Sequence, residues 1–568
     1  MNQEPNEPEK GEIIIQGHSY LIKEKSDLLV VKNPIYEKCL PEDIVEYEII
    51  RDSVVITRIV DRKPKNTLTV VRGIRDLGSF FCLPLICTIF NQEVLKEEFG
   101  EHNSRVGDMW RCSLDLSGIR LHEYVGNAFN LRSVKDYIRN FVIKPPENFY
   151  DIYSECFKKD IKNPLYTQEF TDLTHLDTFS VDNCGTRDID DCISIDFEKG
   201  IIYVHIVDIV SGLEMGSEED IRSTYQAFTV YLPDAAIPCL PPQLNESKLS
   251  LNINTTRQVI TIELVIDRRD STIHSAHIYP SSIINKKNYT YQEFEEKIPD
   301  IIQGKKNWVS KFIEKWWIKR LSLPNLKIRI RKGIVERVYL ENTDDPAHRF
   351  VETLMVCSNL IVASYLREKG LVFPTKHGPV TLESINVKEI TENKIVNVFL
   401  AIDDESLVRR RVVNSGYFGL ELTDYTHFTS PIRRQTDTII HRLLAGYTYD
   451  PKALKKLVTH IKKKKNEIDN IVDWYYSISL KKYLRENWKE PIHGWVTKVY
   501  PHGVDFVIPD WMLEGYIHVS KIMKSVRWRY SGSTLSGAGN EISLGTKIEI
   551  FHEGIGIVNI KFTCVAVK

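Results

Sequence analysis

Asp182, Asp188, Asp190 and Asp191 fall within ten residues, at intervals of six, two and one. They are bracketed by the apolar runs Thr178-Phe179-Ser180-Val181 and Cys192-Ile193-Ser194-Ile195. Carboxylates gathered at that density in a cleft repel one another, and they stay ionised only beside a strong positive charge, usually a divalent cation. Oxygen ligands of this kind suit magnesium, with manganese as a substitute, and such a cluster usually works on phosphates. Asp190 and Asp191 are adjacent, so a straight strand would send them to opposite faces. A bend must gather the four, and Gly185 permits one. An Asx-rich loop of capping aspartates is the alternative that spacing alone leaves open.

A second constellation is Tyr425-Thr426-His427-Phe428-Thr429-Ser430-Pro431-Ile432-Arg433-Arg434. Pro431 is expected near the first turn of a helix, and a helix N-terminus beside two guanidinium groups makes an anion site. Arg433 is suited to steady the extra negative charge of a phosphorane-like transition state. An ion pair with a nearby acid such as Asp437 is the other reading. In a third constellation Phe506, Trp511, Tyr516 and His518 interleave with Lys498 and Lys521. Rings and cations on a small barrel suit single-stranded nucleic acid, although aromatics also fill barrel cores.

The elements that must position these residues are legible in outline. The chain of 568 residues is too long for one core, so about three to five domains are expected. At 42% hydrophobic and 27% charged residues it has an ordinary globular composition. Short alternating β segments fill residues 11–75, and a second strand-rich unit runs to 147, where Pro145-Pro146 marks a boundary. Residues 148–488 mix strands, such as Ile201–Val207 and Val259–Ile266, with helices expected over 349–369 and 451–488. After Pro491 strands return, with a turn at His502-Gly503.

The net charge of -2 is uninformative, but residues 451–500 carry twelve Lys/Arg against five Asp/Glu, and residues 301–340 carry eleven against two. Basic segments beside an acidic cluster fit a polyanionic substrate; solvated helix faces are the simpler account of a run such as Lys462–Lys465. Ten scattered cysteines form no C-x-x-C pair, which argues against a zinc ribbon or a disulfide framework. The polar N-terminus does not read as a targeting peptide, and no run of about 18 apolar residues predicts a membrane span. An intracellular, cytoplasmic setting is expected.

Taken together, the residues resemble the ribonuclease II / ribonuclease R (RNB) family of processive exoribonucleases. After the aspartates come Val204-His205-Ile206-Val207-Asp208, Tyr231-Leu232-Pro233-Asp234 and Ile237-Pro238-Cys239-Leu240-Pro241. Leu249-Ser250-Leu251-Asn252, Arg257, the Phe428–Arg434 block and His441-Arg442 follow in the family's order. The resemblance implies a multidomain α+β fold with cold-shock-like OB barrels at 1–75 and 76–147, an RNB catalytic domain at 148–488 and an S1-type OB barrel at 489–568. It implies 3′-to-5′ hydrolysis of single-stranded RNA to nucleoside 5′-monophosphates with two Mg²⁺ ions about 4 Å apart. Asp182, Asp188 and Asp191 then match metal ligands. Asp190 matches both a ligand and the aspartate that catalysis requires, Arg433 the arginine at the scissile phosphate, and Tyr231 the ring near the RNA 3′ end. Glu352, Arg434, Phe506, Tyr516 and His518 are further expected RNA contacts. A monomer is expected, with no protein partner inferable.

The chain also departs from the family. Gln435-Thr436 replaces a usual tyrosine and small residue, Glu352-Thr353 keeps one carboxylate of a pair, and Val338 or Tyr339 stands near an expected stacking phenylalanine. A cysteine-rich N-terminal motif, an added endonuclease domain and a lysine-rich tail are not seen, so weak action on duplexes is expected. Two other readings follow: an RNA-binding regulator that has lost turnover, and a nuclease acting on DNA.

Overall fold

A computed structural model of the protein describes residues 169–302, 307–317, 324–342, 345–375, 391–393, 395–396, 425–555 and 560–568. It also describes 105–158 with short breaks, and strands within 9–91. Strands β1 to β5 (Glu9–Gln16, Ser19–Glu24, Asp27–Val30, Ile44–Ile50 and Ser53–Asp61) form one sheet in the order β3-β2-β1-β4-β5. Strands β6 to β10 (Lys65–Arg72, Ser79–Leu83, Ile89–Asn91, Asp108–Asp115 and Gly118–Asn127) form a second, in the order β10-β9-β6-β7-β8. The division expected at 75–76 lies outside the described residues. Ahead of it, β6 already pairs with β7 and β9, so Lys65–Arg72 belongs to the second sheet.

Helices α1 (Leu131–Tyr137) and α2 (Phe149–Cys156) lead through the short strand β11 (Phe157–Lys158) into the central sheet. That sheet contains β12 (Thr171–Asp172), β13 (Thr178–Asp182), β14 (Asp191–Asp196), β15 (Ile201–Val207), β18 (Thr256–Asp267) and β19 (Thr272–Thr290). Its order is β12-β19-β13-β14-β15-β18, and β18 also pairs with β19, so the sheet closes on itself. The near-continuous apolar run of β15 follows from burial on both faces. Ile202, Val204 and Ile206 share the main core with Phe350, Leu354 and Ile440, while Tyr203 and Val207 pack with Ile189, Cys192 and Ile283. His205 is fully buried in the sheet, its ring bonded to Ser194 and Thr261. Burial pushes its imidazole down to about 3, which keeps it neutral.

Between β15 and β18 lie helix α3 (Glu218–Gln226) and the hairpin of β16 (Val230–Leu232) with β17 (Ala235–Ile237). After β19 come α4 (Tyr291–Ile302), α5 (Asn307–Trp316) and the hairpin of β20 (Asn325–Arg331) with β21 (Ile334–Glu341). Helix α6 (Pro346–Glu368) starts at an Asp345 cap with Pro346 in its first turn, close to the expected 349–369. Its length and composition would suffice to cross a membrane, but 61% of that window is buried inside the protein, as in a core helix. Helix α7 (Gln435–Leu444), the strand β22 (Thr448–Tyr449) and helix α8 (Pro451–Asn487) complete the central unit. Helix α7 begins after Arg434 rather than at Pro431: Pro431–Arg433 form a turn ahead of it, which corrects the expected helix start.

The last sheet, in the order β25-β24-β23-β29-β30, is built from β23 (Ile492–Tyr500), β24 (Gly503–Ile508), β25 (Leu513–His518), β29 (Lys547–Ile555) and β30 (Ile560–Val567). Three short strands, β26 (Arg529–Ser531), β27 (Thr534–Gly537) and β28 (Asn540–Ile542), lie between β25 and β29. In each of the three five-stranded sheets the first strand sits centrally, with the second and third on one side and the fourth and fifth on the other. The β20–β21 hairpin and the end of α8 share a core with this last sheet through Ile328, Val335, Leu484 and Trp488.

Helix α8 ties the units together. Ile468, Ile471 and Trp474 pack with Met109, Leu131 and Val134 from the second sheet and α1. Within its lysine run Lys464 is buried: its Nζ donates to the Val142 carbonyl at 2.6 Å and to Glu467 at 2.9 Å, 4.1 Å from the Tyr225 ring centre. Lys464→Leu keeps the stem and removes the ammonium. The expected loss is about 1–2 kcal/mol of stability in denaturant unfolding, with faster proteolysis between α1 and α2; an unchanged midpoint and cleavage rate would refute this clamp.

Candidate active site

The aspartate loop joins β13 to β14. Gly185 takes φ +84° with open space around its missing Cβ, which makes the expected bend. The loop is braced from below: Ile189 N–H donates to Ser250 Oγ at 3.0 Å, Ser250 Oγ–H donates to the Arg187 carbonyl at 2.7 Å, and Leu251 N–H reaches the Ile189 carbonyl at 3.1 Å. Arg257 holds that brace, with Nε on the Ser250 carbonyl at 3.0 Å and Nη2 on the Ser247 carbonyl at 2.7 Å. The Leu249–Asn252 block and Arg257 are therefore scaffolding for the aspartates.

Asp190 is 3% exposed, and both its oxygens accept hydrogen bonds, Oδ1 from Ile432 N–H and Oδ2 from Arg433 Nε, each at 2.9 Å. Burial pushes its carboxyl up to about 7 against the pull of Arg433 and the Ile432 amide. Burial alone would loosen the Arg433 proton, but Asp190, followed by Tyr231 and Asp191, more than reverses this. Arg433 Nη2 also donates to Ser430 Oγ at 2.9 Å, and the side chain keeps 42% exposure.

Asp182 and Asp191 form a separate pair. Asp182 sits opposite Thr290 across β13 and β19, and its buried Oδ2 has no hydrogen-bond partner among the described residues. Desolvation pushes Asp182 up to about 6, and the charge of Asp188 adds to the rise. Desolvation, then Asp182 and Asp190, hold Asp191 well above the usual carboxylate range. An orphaned carboxylate oxygen beside a second carboxylate fits a hard cation. Among the described residues no three His, Cys, Asp or Glu side chains close into a metal cage. Magnesium tolerates this, because it keeps several waters and needs only one or two carboxylates plus a substrate phosphate. Asp190, also expected as a ligand, has both oxygens engaged by Ile432 and Arg433.

Tyr231, on β16, is 46% exposed, and its hydroxyl donates to Asp188 Oδ2 at 3.1 Å. Asp234, in the turn of the same hairpin, accepts from Lys135 Nζ and from Tyr475 Oη, both at 2.8 Å, which pins the hairpin to α1 and α8. The ion pair weighed for Arg433 falls on its neighbour: Arg434 Nη2 lies 2.7 Å from the fully buried Asp437. Asp437 Oδ2 also takes the Ser430 N–H at 2.9 Å, and the first amide of α7, that of Gln435, donates to the Ala227 carbonyl at 2.8 Å. Arg434 thus shapes the loop that carries Arg433. His441 stacks on Phe428 at 4.3 Å, and Arg442 pairs with the buried Asp220 at 2.7 Å, so that dipeptide is structural.

Other expected contacts lie elsewhere. Glu352 is half-buried on α6. Phe506 is 1% exposed and packs edge-on against Phe562 at 4.9 Å, so it cannot stack on a base; alternation along β24 turns it inward with Val504 and Ile508. This corrects its expected role. Tyr516 and His518 point outward from β25, and Tyr516 donates to the His502 carbonyl at 2.8 Å. Val338 packs into the shared C-terminal core, away from the carboxylates, while Tyr339 is exposed.

Sequence reasoning missed two parts of the site. The Ile432 amide has no side-chain signature. Tyr291, which stacks on His348 at 3.7 Å and lies in the field of Asp191 and Asp182, follows the Thr290 that faces Asp182. Only the polar end of a long strand, Asn288-Tyr289-Thr290, could have pointed to it.

Residues 170–450 match the RNB domain family. Ribonuclease R of Chlamydia trachomatis is 25% identical over 456 residues, which are 70% of this chain and 65% of that protein. The match thus spans just under two thirds of that relative's length. RNase R of Mycoplasma genitalium in complex with ribose methylated single-stranded RNA superposes with a TM-score of 0.71 at 18% identity, covering 98% of this chain and 100% of that one. Yeast Ssd1, a pseudonuclease, superposes with a TM-score of 0.68 at 14% identity, covering 98% and 96%. At those identities the two structures establish the shared fold. With its ordered motif blocks, the matched segment, residues 170–450, is an RNB domain, and that part of the chain belongs to the RNB family.

Proposed function

We propose that this chain is a processive 3′-to-5′ exoribonuclease that hydrolyses single-stranded RNA to nucleoside 5′-monophosphates. The observation that carries the reading is the pairing of two unlike groups on one loop. Asp190 holds an arginine, and Asp182 with Asp191 keeps an unsatisfied carboxylate oxygen beside it. Phosphodiester hydrolysis needs both a cation fixed at the phosphate and oxygen ligands for metal.

Asp182 and Asp191, with Asp188 close by, would hold divalent magnesium or manganese. When bound, such ions make a water nucleophilic at neutral pH and steady the leaving 3′ oxygen; two ions is the finer form of this reading. Arg433 offers its outer guanidinium edge to a non-bridging phosphate oxygen, and Asp190 fixes that edge through Nε. Tyr231 offers its ring to the terminal base while its hydroxyl stays on Asp188, which registers base against carboxylates. The three sheets of common strand order are read as OB barrels, two preceding and one following the catalytic domain, that guide one strand inward as a monomer.

A 5′-labelled single-stranded RNA with magnesium should shrink to a ladder ending in a short product. Asp190→Asn should bind RNA normally and lose roughly 100-fold or more in kcat, and Arg433→Ala should lose a similar factor. Full-length RNA surviving in every metal condition would sink the reading. The second reading, a fold that binds RNA without turnover, is motivated by the departures at Gln435-Thr436 and at Val338, which packs into the C-terminal core where a stacking phenylalanine is expected. Tight binding in EDTA with no hydrolysis in magnesium would establish it.

Metal binding has a readout independent of activity. The raised carboxyls cost nothing below about pH 4, where they are protonated in both folded and unfolded chains. The cost grows as pH climbs through about 6 for Asp182. Asp182→Asn should therefore stabilise the metal-free protein at pH 8 by about 2 kcal/mol, and the gain should vanish near pH 4. Magnesium should raise the melting temperature of the parent at pH 8 and leave the variant unmoved. An equal response of both proteins would remove Asp182 from the ligand set.

A further inference from the structure

We propose that Cys239 and Thr229 are positioning residues that lock the hairpin carrying Tyr231 to the loop carrying Arg433, so that terminal base and scissile phosphate share one register. This deepens the hydrolytic reading above and, for its kinetic part, rests on it.

Four consecutive residues of the arginine loop are laced to the chain around the hairpin. Gln435 N–H donates to the Ala227 carbonyl at 2.8 Å, and Arg434 bridges Phe228. Thr229 N–H donates to the Arg433 carbonyl at 3.1 Å, and the Cys239 thiol donates to the Ile432 carbonyl at 3.1 Å. Cys239 and Thr229 are themselves joined across the hairpin: Cys239 N–H donates to Thr229 Oγ1 at 3.3 Å, and that hydroxyl donates to the sulfur at 3.7 Å. Both side chains are buried. Gln435, one of the departures from the family pattern, adds a side-chain bond from Nε2 to Thr224 Oγ1 at 2.8 Å.

Ile432 is the point where this lacing meets the chemistry. Its N–H holds Asp190 Oδ1, and its carbonyl is held by the Cys239 thiol. The two bonds fix the peptide planes on either side of one Cα, and so the orientation in which the next residue, Arg433, leaves the chain. Tyr231 stands two residues beyond Thr229 on the same hairpin. A thiol is a weak donor, so its contribution is modest, but the carbonyl it serves is buried and has much to lose. Burial pushes the thiol up to about 12, so the S–H keeps its proton and remains a donor.

The test compares the full-length parent with Cys239→Ala, which deletes the donor, and Cys239→Ser, which keeps one. Thr229→Val, which removes the hydroxyl at constant shape, serves if Cys239→Ala fails to fold. Amide hydrogen exchange of peptides covering 426–440 and kcat on single-stranded RNA are measured, with RNA affinity in EDTA. Cys239→Ala should exchange roughly 3- to 10-fold faster in that segment and lose kcat by a similar factor, with RNA affinity and KM within about twofold. Peptides from β18 should be unchanged, and Cys239→Ser should restore both quantities. Unchanged exchange at 426–440 in Cys239→Ala would overturn the proposal. So would a loss that serine does not restore, or a fall in RNA affinity matching that in kcat, since either marks general packing. If the parent itself cleaves no RNA, the hydrolytic reading fails separately, and the exchange data alone decide whether the brace exists.

Discussion

The ion pair between Asp190 and Arg433 is the constraint around which the site is arranged. A carboxylate at 3% exposure is tolerable only with donors on both oxygens, and the chain supplies one cation and one backbone amide. Those donors come from a loop more than two hundred residues away in sequence. Breaking such a pair by removing one partner costs about 3–5 kcal/mol when both groups are buried. The 42% exposure of Arg433 places this pair toward the lower end and leaves part of the guanidinium available outward. Stability and chemistry therefore draw on the same contact: the pair closes the aspartate loop onto the arginine loop and aims the cation.

The other aspartates show the opposite condition. Asp182 raises Asp191 further, and among the described residues no cation reaches the buried Oδ2 of Asp182 within hydrogen-bond distance. A fold gains nothing by holding two carboxyls this way for its own stability. The backbone nevertheless goes to some length to hold them there, through the bend at Gly185 and the brace from Ser250 and Arg257. Strain retained at a site and compensated around it marks a binding role, which the proposed function assigns to a hard cation.

How far the sequence disclosed this depended on whether a signal was local. Strands such as Ile201–Val207 and the helix at Pro451–Asn487 follow from apolar patterning and from caps, and both lie close to where periodicity places them. The aspartate spacing was local and visible. The meaning of Pro431 was not, because residues 431–433 form a turn and the helix starts at Gln435, whose amide is held by the distant Ala227 carbonyl. Phe506 was ambiguous for a related reason: alternation tells which residues share a face, not which face meets solvent. The separation of Asp190 from Asp191 depends on which distant loop claims each carboxylate, and no pattern around 190 carries that information.

Counting charges along the chain also overstates what is free to meet a polyanion. The basic surplus at 451–500 includes Lys464, buried against Val142 and Tyr225, and Lys465, paired with Asp469. In the 301–340 segment Lys327 pairs with Glu341 and Arg329 with Glu336. Lys521 and Lys524 converge on Glu553 in the last sheet. Exposed pairs of this kind are screened and weak, so they yield readily to a phosphate that arrives with a higher charge density. Lys464 does not yield, because its partner is a carbonyl that would be left buried without a donor. Among the described residues, the segments that look most basic in sequence thus include surface cations that, under the proposed function, can exchange partners for RNA, and Lys464, which fixes the N-terminal unit to α8. Under the same reading, the position of a phosphate at the reacting centre is left to Arg433, whose orientation Asp190 sets.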